Sequence, residues 1–227
     1  MTPMSSAILL HGALPGIVMS VLDWTGTLAF AFSGALVGMS KRFDLFGVLF
    51  LSFVVAVAGG MARDVLIGAI PPAAFTQIHY FLLSIAAGLI TFRWYPRVAT
   101  LRPPILLCDA VGLGLFAVTG AQKAIDYGIN PVMAAILGMT TAIGGGMLRD
   151  VLVRDVPFVL HGDLYAIAAL AAAATVAGGD SLGLAPSGPM LIGAGLCVFL
   201  RLMAIYRGWR APVSRWAESR ARESDRE

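Results

Sequence analysis

Apolar residues fall in long unbroken runs, and polar residues collect in short stretches between them. Seven runs approach the roughly twenty residues that a helix rising ~1.5 Å per residue needs to cross ~30 Å of hydrocarbon. They are 17–39, 45–70, 78–94, 104–125, 131–156, 164–177 and 189–206, the sixth being short and rich in alanine. A helix that is apolar all round has no water-facing side, so each run predicts a segment surrounded by lipid or by its neighbours. The expected fold is an all-α membrane protein of seven transmembrane helices.

Composition agrees. Hydrophobic residues make up 58% of the 227, and charged residues 13%, which is too little polar surface to coat a water-soluble globule. A soluble enzyme is thereby excluded. The net charge of +3 does not point to nucleic acid, because the basic residues sit between apolar runs and in the last twenty residues. Lys41, Arg42, Arg93, Arg97, Arg102, Arg154 and the six arginines from Arg207 to Arg226, twelve in all, fall on one side of the proposed bilayer. Lys123 falls on the other, and Arg63, Arg149 and Arg201 lie within spans. The positive-inside rule then puts the N-terminus outside and the C-terminus in the cytoplasm. No basic residue precedes Lys41, so 8–22 fits a cleaved signal peptide poorly and the first helix is expected to be retained. The tail, 207–227, mixes both signs without an apolar face and predicts a solvated segment.

Sliding the chain against itself by 86 residues (109 − 23) superimposes Asp23 on Asp109, Gly26 on Gly112, Phe30 on Phe116, Gly34 on Gly120 and Pro71 on Pro157 without a gap. Within that register Gly59-Gly60-Met61-Ala62-Arg63-Asp64-Val65-Leu66 lies on Gly145-Gly146-Met147-Leu148-Arg149-Asp150-Val151-Leu152, with seven of eight positions identical. Each copy holds three spans, an odd number, so the second enters the membrane from the opposite face. The expected organisation is a three-helix repeat at 17–98, an inverted repeat at 104–178, a seventh helix at 187–206 and a cytoplasmic tail at 207–227. Inverted repeats place their site near the bilayer midplane, typically on interrupted helices.

Gly59-Gly60 and Gly144-Gly145-Gly146 stand at that depth. Consecutive glycines cost about 1 kcal/mol each in helix propensity, so helices two and five are expected to break there and to line a path with open backbone. Arg63, Asp64, Arg149 and Asp150 follow each break inside the membrane, where charges need partners. Depth along the spans pairs Arg63 with Asp23 and Arg149 with Asp109, and places Asp64 and Asp150 in the first turn of a second half-helix. Half-helix N-termini and arginines favour anions, while opened carbonyls favour cations, so the sign of the path stays open.

Other motifs lead nowhere. Gly112-Leu113-Gly114-Leu115-Phe116-Ala117 has the spacing of a dinucleotide turn, yet no strand precedes it and no acid follows about twenty residues later. His11, His79 and His161 are scattered, Cys108 and Cys197 read as small buried hydrophobes, and neither a metal nor a cofactor is expected.

Two inverted three-helix units, each carrying Gly-Gly-x-x-Arg-Asp in its second helix, plus a seventh helix, resemble the trimeric intracellular cation (TRIC) channel family and its prokaryotic members over about 17–206. The resemblance implies a homotrimer in the bacterial inner membrane with one pore per subunit, passing monovalent cations, chiefly potassium, sodium also permeating. It makes Lys123 on the fourth span a counterpart of the gating basic residue of animal members, although the residues around it depart from that pattern. Single units of this type are also known as glycine-transporter domains, which implies an alternative: a small amino-acid carrier working by alternating access.

Overall fold

The structure is a computed structural model that describes residues 3–98, 104–160 and 164–208, so the charged tail lies almost wholly outside the described residues. Every regular element among them is helical: α1 (Pro3–Ser40), α2 (Leu45–Leu66), a short α3 (Ala73–Thr76), α4 (His79–Val98), α5 (Pro104–Asp126), α6 (Pro131–Leu152), a 3-10 turn (Phe158–Leu160), α7 (Tyr165–Ser181) and α8 (Ser187–Arg207). Five are long and apolar enough to cross a membrane, namely Leu14–Ser40, Leu45–Leu66, Ile105–Asp126, Pro131–Leu152 and Ser187–Arg207. The other two long helices, α4 and α7, hold the third position in each repeat. α4 carries Arg93 and Arg97 near its end and bends at Trp94. α7 has 17 residues, and its alanine face, Ala168, Ala169, Ala172 and Ala173, is buried in the bundle core.

Local chemistry repeats with the sequence. Asp44 caps α2 by accepting from the Gly47 amide, and its mate Asn130 caps α6 by accepting from Met133, with Pro131 opening the helix. Past the helix ends, Gly68 and Arg154 are mates in the left-handed region, and so are Arg42 and Gly128. Glycine takes this conformation freely; each arginine carries a cost of about 1–2 kcal/mol.

α1 packs on α2, α4 and α5, α5 packs on α6, α7 and α8, and α2 crosses α6. The contacts between mates are reciprocal. A Cβ on Gly59 would overlap the Thr141 carbonyl oxygen, and one on Gly145 would come within 2.5 Å of the Val55 carbonyl oxygen; Val55 and Thr141 are themselves mates. Exchange of the two repeats leaves the crossing unchanged, which is what a local two-fold axis requires.

This crossing corrects the expected helix breaks. α2 and α6 run as continuous helices through Gly59-Gly60 and through Gly144-Gly145-Gly146. The glycines are used for approach: α2 and α6 meet backbone to backbone because no side chain stands between them. An intact ladder also spares the backbone unpaired groups at that depth.

Candidate functional site

Two clusters of charge flank the crossing. In the first, Arg63 binds its neighbour Asp64 through Nε (2.9 Å) and Nη2 (2.8 Å to the same Oδ1). Lys123 from α5 adds its Nζ to that oxygen at 2.8 Å, and the Ala73 amide, first in α3, donates to Oδ2 at 3.0 Å. Asp23 accepts from the Tyr80 hydroxyl at 2.6 Å. In the second, Arg149 binds Asp150 through Nε and Asp109 through Nη1, both at 2.8 Å, and Nη1 also donates to Ser33. The Phe158 amide, first in the 3-10 turn, donates to Asp150 Oδ2 at 2.9 Å, and the Tyr165 hydroxyl engages Asp109.

The clusters share one design. In each, the Arg-Asp carboxylate receives the adjacent guanidinium and the first amide of the next short helix, which fixes the chain where it turns back. In each, a tyrosine from the repeat's third helix reaches the aspartate of its first. Asp64 and Asp150 therefore do not begin a second half-helix as expected. They sit in the last turns of α2 and α6, where the helix dipole disfavours a carboxylate and the arginine, or for Asp64 also Lys123, offsets it.

The pairing inferred by depth holds for Arg149 with Asp109. It does not hold for Arg63, which forms no ion pair with Asp23 among the described residues: Arg63 turns along its own helix to Asp64, and Tyr80 takes Asp23. Lys123, assigned by resemblance alone, proves to be part of the first cluster. Tyr80, Tyr165 and Ser33 gave no signal in the sequence beyond lying in or beside spans.

Arg201 of α8 was visible only as a charge within a span. It is fully buried, its guanidinium carbon is 4.7 Å from the Tyr165 ring centroid and 5.4 Å from that of Phe158, and its nitrogens have no hydrogen-bond partner among the described residues. With Arg201 the second cluster holds two carboxylates and two cations, as the first does with Lys123. One fourth charge is an ion pair; the other is held by aromatic faces.

The Arg-Asp pairs of both clusters are buried, and the clusters differ in their other members: Asp109 and Arg201 are buried, whereas Asp23 and Lys123 are partly exposed. The first cluster opens through a cavity of about 180 Å³ lined by Asp23, Trp24, Arg63, Gln77, Tyr80 and Lys123, and another of about 430 Å³ that includes Asp64 and Lys123. A narrower cavity shares Asp23, Arg63 and Tyr80 and is also lined by Ala56, Gly60 and Phe116. Gly60 thus faces this space, while Gly146 faces the Tyr165 hydroxyl and Asp109.

A family described as Glycine transporter matches the chain twice, over 20–96 and 106–180. The UPF0126 membrane protein of Deinococcus radiodurans is 41% identical over 87% of this chain and 92% of that protein. The UPF0126 inner membrane protein YadS of Escherichia coli is 36% identical over 66% of this chain and 72% of its own length. Among solved structures, the TRIC trimeric intracellular cation channel orthologue from Rhodobacter sphaeroides superimposes with a TM-score of 0.80 at 34% identity, covering 85% of this chain and 99% of that one. The chain belongs to the glycine-transporter-type UPF0126 family of multi-pass membrane proteins, as a prokaryotic relative of the TRIC channels.

Proposed function

We propose that the protein is a passive channel for monovalent cations, chiefly potassium, assembled as a homotrimer with a path through each protomer. The observation that carries this reading is the set of cavities around the first charged cluster, lined by Asp23, Arg63, Tyr80 and Lys123 and reaching Phe116 of α5, in a chain so similar to a cation channel. The four aspartates of the two clusters, Asp23, Asp64, Asp109 and Asp150, are engaged by partners in the chain. A coupled carrier ordinarily keeps such acids for its coupling ion. Clusters of balanced charge suit transit, since a weakly held ion leaves readily.

In this reading α4 and α7 also cross the bilayer, giving the repeats 17–98 and 104–178 and the helix 187–206. The N-terminus lies outside and the tail in the cytoplasm, with the protein in the inner membrane and no cofactor. Lys123, paired with Asp64 beside the open cavities, is the gating candidate.

A second reading has one observation of its own: the 180 Å³ cavity presents both Asp23 and the cations Arg63 and Lys123, the two signs a small zwitterion needs. Reconstitution into planar bilayers with asymmetric KCl separates the two. Unitary currents reversing near the potassium potential support the channel. Electrical silence with saturable uptake of glycine into vesicles supports the carrier.

A further inference from the structure

Phe30 and Phe116 are repeat mates, and they meet each other. Their ring centroids lie 5.2 Å apart with planes inclined at 52°, and they are 0% and 3% exposed. Each ring rests on a glycine of the opposite repeat: a Cβ on Gly26 would stand 2.8 Å from the Phe116 ring, and one on Gly112 would stand 2.9 Å from the Phe30 ring. Gly26 and Gly112 are mates as well. A Cβ on Gly145, at the α2–α6 crossing, would be 3.8 Å from Phe30, so the ring pair sits against that crossing.

The pair also stands between the charges. Asp23 precedes Phe30 by seven residues on α1, and Asp109 precedes Phe116 by seven on α5, about 10 Å along each helix. One cavity of the first cluster, lined by Asp23, Arg63 and Tyr80, has Phe116 in its wall. Ser33, about one turn past Phe30 on α1, accepts from Arg149 of the second cluster.

We propose that Phe30 and Phe116 form the barrier of the path, a two-ring constriction on the local two-fold axis that divides the water-accessible half from the closed half. This rests on the channel reading. A hydrated ion cannot enter two packed rings without losing its shell, so the rings hold the path shut by excluding water. Conduction requires the rings to part, and the glycines opposite each ring leave the helices able to meet around them. The barrier carries no charge, so it governs how much current flows and not which sign of ion carries it.

The test uses the full-length protein in planar bilayers. Phe30→Leu, Phe116→Leu and the double variant keep an apolar core of similar volume and remove the rings; Gly26→Ala crowds the Phe116 ring. With a conducting wild type, each leucine variant is expected to raise unitary conductance or open probability at least twofold. The double variant should exceed both, with the K⁺/Cl⁻ reversal potential unchanged. A second measurement needs no current. In a Cys108→Ser, Cys197→Ser background, a cysteine introduced at Ser33 reports access across the rings to a membrane-impermeant methanethiosulfonate cation applied from the Asp23 side. Its modification should be several-fold faster in the double leucine variant. A conducting wild type whose leucine variants show unchanged currents and unchanged labelling overturns the barrier. A wild type that passes no current overturns the channel reading instead, and the labelling rates then decide the barrier alone.

Discussion

Lys123 donates to Asp64 Oδ1 at 2.8 Å, while the residue that mirrors Lys123 in the first repeat is Val37, buried in the apolar core. The two halves are alike in their Arg-Asp pairs and unlike in this position. The Asp64 end gains a movable ammonium, 20% exposed in the cavity, and the Asp150 end gains a plug of hydrocarbon.

Replacing Lys123 by Met therefore costs little stability, about 1–2 kcal/mol, since Asp64 keeps Arg63 and the Ala73 amide. It leaves the first cluster with one net negative charge. Potassium current should rise several-fold at about 20 mM KCl and approach wild type near 1 M, where the Debye length falls to roughly 3 Å. A salt-independent change would mean that Lys123 acts sterically.

The glycines divide by what their missing side chains would meet. Gly59→Ala and Gly145→Ala each push a methyl into a backbone carbonyl of the crossing helix. Each should destabilise by at least about 3 kcal/mol, the upper range for overpacking, because a backbone cannot rotate away. Gly60→Ala meets only the Arg63 guanidinium at 3.7 Å and should gain up to about 1 kcal/mol of helix propensity. Thermal unfolding in detergent checks all three. Equal losses at 59 and 60 would restore the view that the glycine pair acts as a unit.

The aspartates of the first helices should also separate. Asp109→Asn weakens the partner of a buried guanidinium and is expected to cost about 3 kcal/mol or more, the lower range for breaking a buried pair. Asp23→Asn keeps an acceptor for the Tyr80 hydroxyl at a partly exposed site and should cost about 1 kcal/mol. Similar losses in denaturation experiments would argue that Arg63 depends on Asp23 after all.

The sequence carried five of the seven expected spans, the repeat and the Arg149–Asp109 pair, because each follows from hydropathy, self-similarity or depth along a helix. Rotation about the helix axis is invisible to such reasoning. Arg63 can reach Asp23 by depth, yet its side chain lies on the Asp64 side, and Tyr80 arrives from 57 residues away (80 − 23) with no pattern to announce it. The glycines misled for a related reason. Propensity alone predicts a break there, whereas the gain comes from a helix 86 residues distant, and only the tertiary crossing shows it.

Lys41 and Asp155 show which turns share an end of the bundle. They join the turn after α1 to the turn after α6 at 2.7 Å, so these two turns share one end of the bundle. Gly68 and Gly128 end α2 and α5, which run the other way. The pair is exposed on both sides and worth at most about 1 kcal/mol, so either residue can be replaced by cysteine without disturbing the fold. In intact cells, cysteines at 41 and 155 should be protected from a membrane-impermeant maleimide and those at 68 and 128 labelled, the outcome expected where the positive-inside rule turns the end bearing Lys41, Arg42 and Arg154 to the cytoplasm. Opposite labelling would reverse the orientation while leaving the fold intact. Labelling of 41 and 128 together would mean that α4 does not cross, and with it the three-helix repeat would fail.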